Sequence, residues 1–316
     1  MASRISGLTI LLRSDCEGIA IMKWTLPAKP PFSLPAIIRS HGWVQLAPFA
    51  SDEERHTLSY VAQLDSGPVV EVRMAQAGAG VDVSVEVPLD HSEQAQVSAE
   101  VVWMLGLDQD LSDFYRIARS EPKLAGAEEK GRGRVLRSPT LFEDTVKTIL
   151  TTNTGWSSTI RMVAALVSRL GAPLEGDPAR HAFPAPTQLA ASNEETLRSD
   201  VRLGYRAPYI LDLARAVASG DLDLEGLKHD DLPTPELRKR LLAIKGVGDY
   251  AAANLLVLLG RYDFVPVDSW AMKVVSHEWY DGQPVGRAEV EAAFEPWGAF
   301  KGLAYWFWEW AYLSEG

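Results

Sequence analysis

The sequence contains a single cysteine, Cys16, among 316 residues. One cysteine can neither form an internal disulfide nor supply the four thiolates of an iron–sulfur cluster. Six histidines are spread along the chain without the spacing of zinc ligands, at His41, His56, His91, His181, His229 and His277. We therefore expect no iron–sulfur cluster, no zinc site and no required cofactor.

Long hydrophobic runs are also missing. The apolar run at residues 8–12 is much shorter than a membrane span, and no small-residue cleavage site follows it. We therefore expect a cytoplasmic protein that is neither exported nor bound to a membrane.

Positive charge is scarce overall, since the formal net charge is −11. Such a chain cannot bind a phosphate backbone indiscriminately, but a local basic surface can still bind it. The stretch 130–170 is the local exception, with Glu143 and Asp144 set against the basic residues Lys130, Arg132, Arg134, Arg137, Lys147, Arg161 and Arg169. This stretch predicts either a phosphate-binding surface or a solvated basic face.

The most informative stretch, 233–273, predicts two helices joined by a tight glycine hairpin. Thr234 and Pro235 suit the start of the first helix, and leucines at helical spacing follow. Gly246 and Gly248 flank Val247 and allow a sharp turn with close approach to a partner. The free N–H groups at the start of the second helix form an anion site that can hold a phosphate without reading its base.

This stretch resembles the helix-hairpin-helix (HhH-GPD) DNA glycosylase superfamily, which has Gly-Val-Gly at the hairpin and a downstream aspartate. Here the hairpin lies within 235–260, and the matching acid is Asp268, inside Pro266-Val267-Asp268. The resemblance implies DNA contacts from Lys245 and the three hairpin residues Gly246, Val247 and Gly248. It also implies that Asp268 stabilises positive charge on the sugar or orients a water as the N-glycosidic bond breaks. The alternative is that Asp268 caps a helix beginning at Ser269.

The rest of the chain predicts an α+β protein. Residues 1–22 are expected to be a disordered extension, 23–91 an antiparallel β domain and 92–316 an all-helical HhH-GPD body of two subdomains. Period-two alternation of apolar residues begins near Leu58, turns follow at 65–68 and 77–80, and another strand is expected at 43–49. From residue 92 the spacing becomes helical. This layout resembles the 8-oxoguanine and 3-methyladenine glycosylase branches, in which the active site lies between the two helical halves.

Two further segments resemble the 8-oxoguanine branch. Asn153, in the segment 151–156, matches the asparagine that fills the space left by an extruded base. Tyr205, followed by Arg206, matches the tyrosine that wedges into the opposite strand. The alternative interpretations are a helix cap for Asn153 and an ordinary aromatic residue at a helix start for Tyr205.

Tyr250 departs from that branch, in which a lysine stands two residues after the second hairpin glycine and attacks the sugar. A phenol cannot form a Schiff base, so the resemblance implies a monofunctional enzyme that uses water and leaves an abasic site. Tyr250, Trp270, Tyr305 and Glu309 stand at positions implied to line the base pocket. Aromatic rings attract a cationic base, which favours alkylated purines.

The family's hairpin also binds an alkali metal ion through backbone carbonyls, which here would be those of Leu242, Ile244 and Val247. The expected partner is double-stranded DNA with a damaged base, bound by a monomer. Two other functions stay open: excision of an oxidised or deaminated base such as 8-oxoguanine or hypoxanthine, and binding of damaged DNA without catalysis.

Overall fold

The computed structural model describes residues 21–310. Most of the predicted extension 1–22 lies outside the described residues. The N-terminal part is a five-stranded antiparallel sheet in the order β1-β5-β4-β3-β2. Its strands are β1 (Met22–Pro27), β2 (Phe49–Asp52), β3 (Thr57–Gln63), β4 (Val69–Ala77) and β5 (Gly80–Val85).

Apolar alternation gives the sheet its two faces, as predicted. In β4, Val70, Val72 and Met74 are buried, while the residues between them are not. The prediction of a strand at 43–49 was wrong. Residues Gly42–Gln45 form a 3₁₀ turn closed by the Leu46 N–H on the Trp43 carbonyl, and Pro48 cannot donate to a strand ladder. Strand β2 therefore begins at Phe49.

Helices are the main elements of the rest of the described chain. They are α1 (Leu34–Ile38), α2 (His91–Leu105), α3 (Ser112–Ala118), α4 (Leu141–Thr151), α5 (Trp156–Leu170), α6 (Pro186–Ala190), α7 (Glu194–Ser199), α8 (Ala207–Ser219), α9 (Thr234–Leu242), α10 (Asp249–Leu258), α11 (Ser269–Trp279), α12 (Arg287–Phe294) and α13 (Lys301–Phe307). A small hairpin of β6 (Pro173–Leu174) and β7 (Asp177–His181) occupies a stretch expected to be loop. None of the helices within residues 21–310 combines the length and apolar character that a membrane span needs.

Helix α4 joins the sheet to the helical body. It lies against α5, α8 and α10, and ten of its eleven residues are buried. Two of its buried charged groups pair with each other, because the Lys147 ammonium lies 2.6 Å from the Glu143 carboxylate, which also accepts the Tyr60 hydroxyl. The Asp144 carboxylate accepts the Trp43 indole N–H at 2.7 Å. These contacts fix the segment around Trp43 against α4, and the same segment forms one wall of the site described next.

Candidate active site

The hairpin, the turn after α4 and the segment around His41 enclose a cavity of about 920 Å³, here called the cleft. Residues predicted from separate parts of the sequence meet in it. Its lining includes Asn153, Tyr205, Gly246, Gly248, Tyr250 and Asp268. A second cavity of about 300 Å³, here called the inner pocket, is lined by Ser40, His41, Tyr250, Asn254, Pro266, Asp268, Trp270, Tyr305, Trp306 and Trp310.

Asp268 lines both cavities. It caps α11, where its Oδ1 atom accepts the backbone N–H of Ala271 at 2.7 Å. Its Oδ2 atom accepts no hydrogen bond from the described part of the chain. Both interpretations of Asp268 in the sequence are therefore compatible, because one oxygen serves the helix cap while the other is available for chemistry.

Two tyrosines share the electrostatic environment of Asp268. Burial, reinforced by the negative charge of Asp268, raises the pKa of Tyr250 and raises the pKa of Tyr305 strongly. Both phenols are thus neutral near neutral pH and keep their protons. They provide ring faces and O–H groups without adding a second negative charge.

Trp270 is 38% exposed and lines the inner pocket, together with Tyr250 and Tyr305. Glu309 does not line it, so its expected position in the base pocket is corrected. Glu309 Oε1 lies 2.8 Å from Lys130 Nζ and 2.9 Å from Arg132 Nη1, in a neighbouring cavity of about 1000 Å³. This cavity is separated from the inner pocket by a wall that includes Trp306.

The hairpin has the predicted geometry. Gly246 has φ +89°, and a Cβ there would lie 3.0 Å from the ring of Tyr209. Gly248 has φ −96° and open space where a Cβ would stand. The N–H groups of Gly246 and Gly248 find no acceptor within residues 21–310, and α10 begins at Asp249. Unpaired backbone N–H donors therefore lie at the cleft, beside the positive end of helix α10.

Ion pairs neutralise the charged side chains around the hairpin. Lys245 Nζ lies 2.8 Å from Asp212, and this partner raises the pKa of Lys245. Asp249, which could have repelled a phosphate, pairs instead with Arg238 and lies 3.9 Å from Arg287. The acid beside the hairpin is thus offset by two arginines.

The carbonyls expected to hold an alkali ion differ in availability. The Ile244 carbonyl already accepts the Val247 N–H at 3.0 Å. The Leu242 and Val247 carbonyls accept no backbone N–H from the described residues. Oxygen ligands of this kind suit a hard cation, so the residues fit such an ion. No group of three His, Cys, Asp or Glu side chains in residues 21–310 could hold a metal.

Asn153 and Tyr205 meet at the mouth of the cleft, although 52 residues separate them in the chain. Asn153 has φ +49° in the turn between α4 and α5, and its Nδ2 donates to the Tyr205 hydroxyl at 3.3 Å. Tyr205 is 46% exposed. Arg206, in contrast, is buried, donates to the Thr152 carbonyl and lies 4.5 Å from the Tyr205 ring. The expected contact between Arg206 and DNA is corrected to support of Tyr205 and the Asn153 turn.

The basic stretch 130–170 does not form one surface. Arg134 is buried and donates to the carbonyls of Lys29, Pro31, Gly106 and Gln109. Arg137 and Lys147 are also buried. These cations serve internal hydrogen bonds, so their closeness in the sequence does not produce a basic face.

Sequence reasoning missed His41, Trp156 and Trp306, all of which line the cleft. Trp156 is 37% exposed, and its indole N–H donates to Gln45 at 2.7 Å. Trp306 Nε1 donates to the Ser40 carbonyl at 2.9 Å. The adjacent aromatic and histidine residues at 41–43 were the available signal, but they lie far along the chain from the hairpin.

Comparisons with known proteins show which proteins this chain resembles. Residues 146–299 match the family model described as HhH-GPD superfamily base excision DNA repair protein. A DNA-3-methyladenine glycosylase of Bacillus subtilis is 26% identical over 184 residues, or 57% of this chain and 60% of that protein. A probable N-glycosylase/DNA lyase of Methanothermobacter thermautotrophicus is 26% identical over 235 residues, or 66% of this chain and 70% of that protein.

The fold has a matching solved structure, a 3-methyladenine DNA glycosylase from Archaeoglobus fulgidus, with a TM-score of 0.71 and 23% identity. The match covers 90% of this chain and 96% of that one. The region matched by the family model includes the hairpin, Asn153, Tyr205 and Asp268. Through residues 146–299, just under half of its length, the chain is similar to the HhH-GPD superfamily of base excision DNA repair proteins.

Proposed function

We propose that this protein is a monofunctional DNA glycosylase that hydrolyses the N-glycosidic bond of an alkylated purine flipped out of double-stranded DNA. The observation that supports it most is the position of Asp268 at the boundary of two cavities. One cavity contains the hairpin donors and the other is lined by aromatic rings. A nucleotide spanning them would hold its phosphate at the hairpin, its sugar at Asp268 and its base in the inner pocket.

Extrusion of the nucleotide needs side chains that replace its stacking. Unstacking and unpairing a base costs roughly a few kcal/mol. Stacking on an aromatic ring returns about 1–3 kcal/mol per base. Tyr205 is exposed and supported by Arg206, and Asn153 lies beside its hydroxyl. We assign the vacated space to Asn153 and the opposite-strand wedge to Tyr205.

Bond cleavage places positive charge on the sugar, and the free oxygen of Asp268 is the group available to stabilise it. The carboxylate is held in place because its other oxygen is part of the α11 cap. It can also accept a proton from an attacking water. A positioned charge of this kind is typically worth about 10²–10³-fold in rate.

Water is the proposed nucleophile because no lysine is among the described residues that line the cleft or the inner pocket. Tyr250 occupies the position where bifunctional relatives carry a lysine, and Lys245 is paired with Asp212. A Schiff base requires an amine beside the sugar. The proposed product is therefore an abasic site with an intact strand.

Alkylated purines are the proposed substrates because Tyr250, Trp270 and Tyr305 line the inner pocket. A cation over such rings gains about 0.5–2 kcal/mol. A second candidate is excision of an oxidised or deaminated base. The contact between Asn153 and Tyr205 favours it, because this pair resembles the 8-oxoguanine branch.

The hairpin would also hold a sodium or potassium ion through the Leu242 and Val247 carbonyls, with Ile244 beside them. Such an ion would supply positive charge to the phosphate held there. No other cofactor is proposed.

The test is a base-release screen on duplexes carrying 3-methyladenine, 1,N6-ethenoadenine, hypoxanthine or 8-oxoguanine. We expect release of free alkylated base, an alkali-labile site and no adduct trapped by borohydride. Asp268→Asn should lower the rate at least about 100-fold while keeping the fold, because Asn caps a helix as well as Asp. Asp90→Asn is the matched control, since Asp90 caps α2 outside both cavities.

Binding of lesion duplexes without release of any base would establish the non-catalytic alternative. Full activity in Asp268→Asn would refute the assigned role of Asp268. A trapped adduct would overturn the monofunctional assignment.

A further inference from the structure

Among residues 21–91, His41 is the one that lines both the cleft and the inner pocket. Its ring is held between two indoles, with centroids 4.6 Å from Trp43 and 5.5 Å from Trp306. Trp43 is anchored on Asp144, and Trp306 on the Ser40 carbonyl. The imidazole is therefore held from both sides by rings that are themselves hydrogen-bonded.

One ring nitrogen of His41 already has a partner. Nε2 lies 2.6 Å from the carbonyl oxygen of Leu136. A carbonyl only accepts hydrogen bonds, so Nε2 must carry the proton. Burial lowers the pKa of His41 from 6.5 to about 4, which keeps the ring neutral at physiological pH. In a neutral imidazole with the proton on Nε2, Nδ1 is an acceptor.

Nδ1 itself has no partner within the described chain. It accepts no hydrogen bond from residues 21–310, and it is not enclosed among the buried unpaired atoms of the protein. It is thus accessible from the cavities that the ring lines. An oriented acceptor in an aromatic pocket is a common means of selecting a ligand by its hydrogen-bond donors.

We propose that Nδ1 of His41 is a specificity determinant that accepts an N–H from the edge of the flipped base. This inference rests on the proposed glycosylase function and narrows its substrate class to damaged bases that present an N–H donor in the inner pocket. 3-Methyladenine has such a donor in its exocyclic amino group. In 1,N6-ethenoadenine that nitrogen is closed into a ring, and the base carries no N–H.

The test measures the affinity of the protein for three DNA duplexes. The target nucleotide of each carries a 2′-fluoro sugar, so that its base is not released during the measurement. One duplex contains 3-methyladenine, the second contains 1,N6-ethenoadenine, and the third is undamaged. Anisotropy titrations give a dissociation constant for each, and thermal melts confirm that each variant is folded.

Two substitutions separate recognition from anchoring. In His41→Asn the amide oxygen can lie near the position of Nδ1, so an acceptor remains although the bond to Leu136 is lost. In His41→Gln the amide N–H can reach the Leu136 carbonyl, but the acceptor at Nδ1 is removed. We expect Gln to weaken binding of the 3-methyladenine duplex by about 5- to 100-fold, the effect of leaving a buried donor unpaired, and Asn to weaken it less. The ethenoadenine duplex should be unaffected by either change.

The matched control is His181→Gln, because His181 lies in β7 outside both cavities. If Gln preserves and Asn abolishes the preference for 3-methyladenine, His41 only anchors Leu136 and the inference is refuted. Equal weakening of both lesion duplexes refutes it as well. If wild type neither prefers any lesion duplex nor releases any base, the proposed function itself fails.

A measurement on the wild type does not depend on variant stability. The ¹⁵N chemical shift of His41 Nδ1 should move upfield when the 3-methyladenine duplex binds, because the nitrogen then accepts a hydrogen bond. It should not move with the ethenoadenine duplex. The same shift with both duplexes would also refute the inference.

Discussion

The two hairpin glycines should respond oppositely to substitution, although a single residue separates them. Gly246 has φ +89°, in the left-handed region, and a Cβ there would press on the Tyr209 ring at 3.0 Å. Gly248 has φ −96°, and no atom lies within 4 Å of the position that a Cβ would take. One glycine is therefore required by the fold, and the other leaves room for a partner.

For Gly246→Ala we expect the free energy of unfolding to fall by about 1–3 kcal/mol, the typical cost of a non-glycine residue in a sparsely populated backbone region. For Gly248→Asn we expect a change within about 0.5 kcal/mol, since Asn is a good cap at the start of α10. Urea denaturation measures both values. Gly282→Ala is the control for backbone conformation, because Gly282 has φ +79° in a turn outside both cavities.

DNA affinity should follow the opposite order. The Asn side chain of Gly248→Asn would stand over the unpaired hairpin N–H groups and displace the phosphate. Loss of one charge-assisted hydrogen bond, about 1.5–3 kcal/mol, weakens binding by about 10- to 150-fold. Gly282→Ala should lose stability while its affinity is unchanged. Fluorescence anisotropy titrations with a duplex containing an abasic analogue measure the dissociation constant of each variant.

Two outcomes would refute this reasoning. If Gly248→Asn binds the duplex as tightly as wild type, the phosphate does not lie at the hairpin. If Gly246→Ala is as stable as wild type, the left-handed conformation is not a requirement of the turn. Measuring stability and affinity on the same variants keeps the two claims separate.

Other predictions concern the acids and His41. Asp268→Ala should lose about 1 kcal/mol of stability relative to Asp268→Asn in urea denaturation, because alanine cannot cap α11. Glu309→Gln should leave base release unchanged, since Glu309 pairs with Lys130 and Arg132 outside the inner pocket; a large loss of release would return it to the base pocket. His41 has a folded pKa of about 4, below its usual 6.5. As the pH falls from 6.5 toward 4, the unfolded state binds a proton that the folded state does not, so the free energy of unfolding falls. Between pH 7 and 5, denaturant unfolding should therefore show a smaller loss of stability for His41→Gln than for the wild type.

The parts of the site that the sequence predicted depend on local geometry. A glycine hairpin needs residues that allow a left-handed turn, and Asp268 caps the helix that begins at the next residue. Backbone conformation and capping involve neighbours in the chain, so their signals lie close together in the sequence. The alternation in β3 to β5 is similarly local.

The wrong expectations about charged residues involved partners distant in the chain. The sequence suggests a surface cation at Arg134, but this side chain is buried and donates a hydrogen bond to the carbonyl of Lys29. Glu309 was expected in the base pocket but pairs with Lys130 instead. Whether a charged residue is exposed depends on which distant groups the fold brings to it. Neither spacing nor local charge carries that information.

The position of His41 depends both on local backbone geometry and on a contact with a residue distant in the chain. Its neighbours in sequence, Gly42 and Trp43, belong to a 3₁₀ turn where the sequence predicts a strand. The turn is held against α4 by the contact between Trp43 and Asp144, and this contact brings His41 to the inner pocket. The sheet domain therefore contributes directly to the pocket formed largely by the helical body. If base selection depends on His41, then packing of the N-terminal segment on α4 determines specificity, while the hairpin and Asp268 determine binding and cleavage.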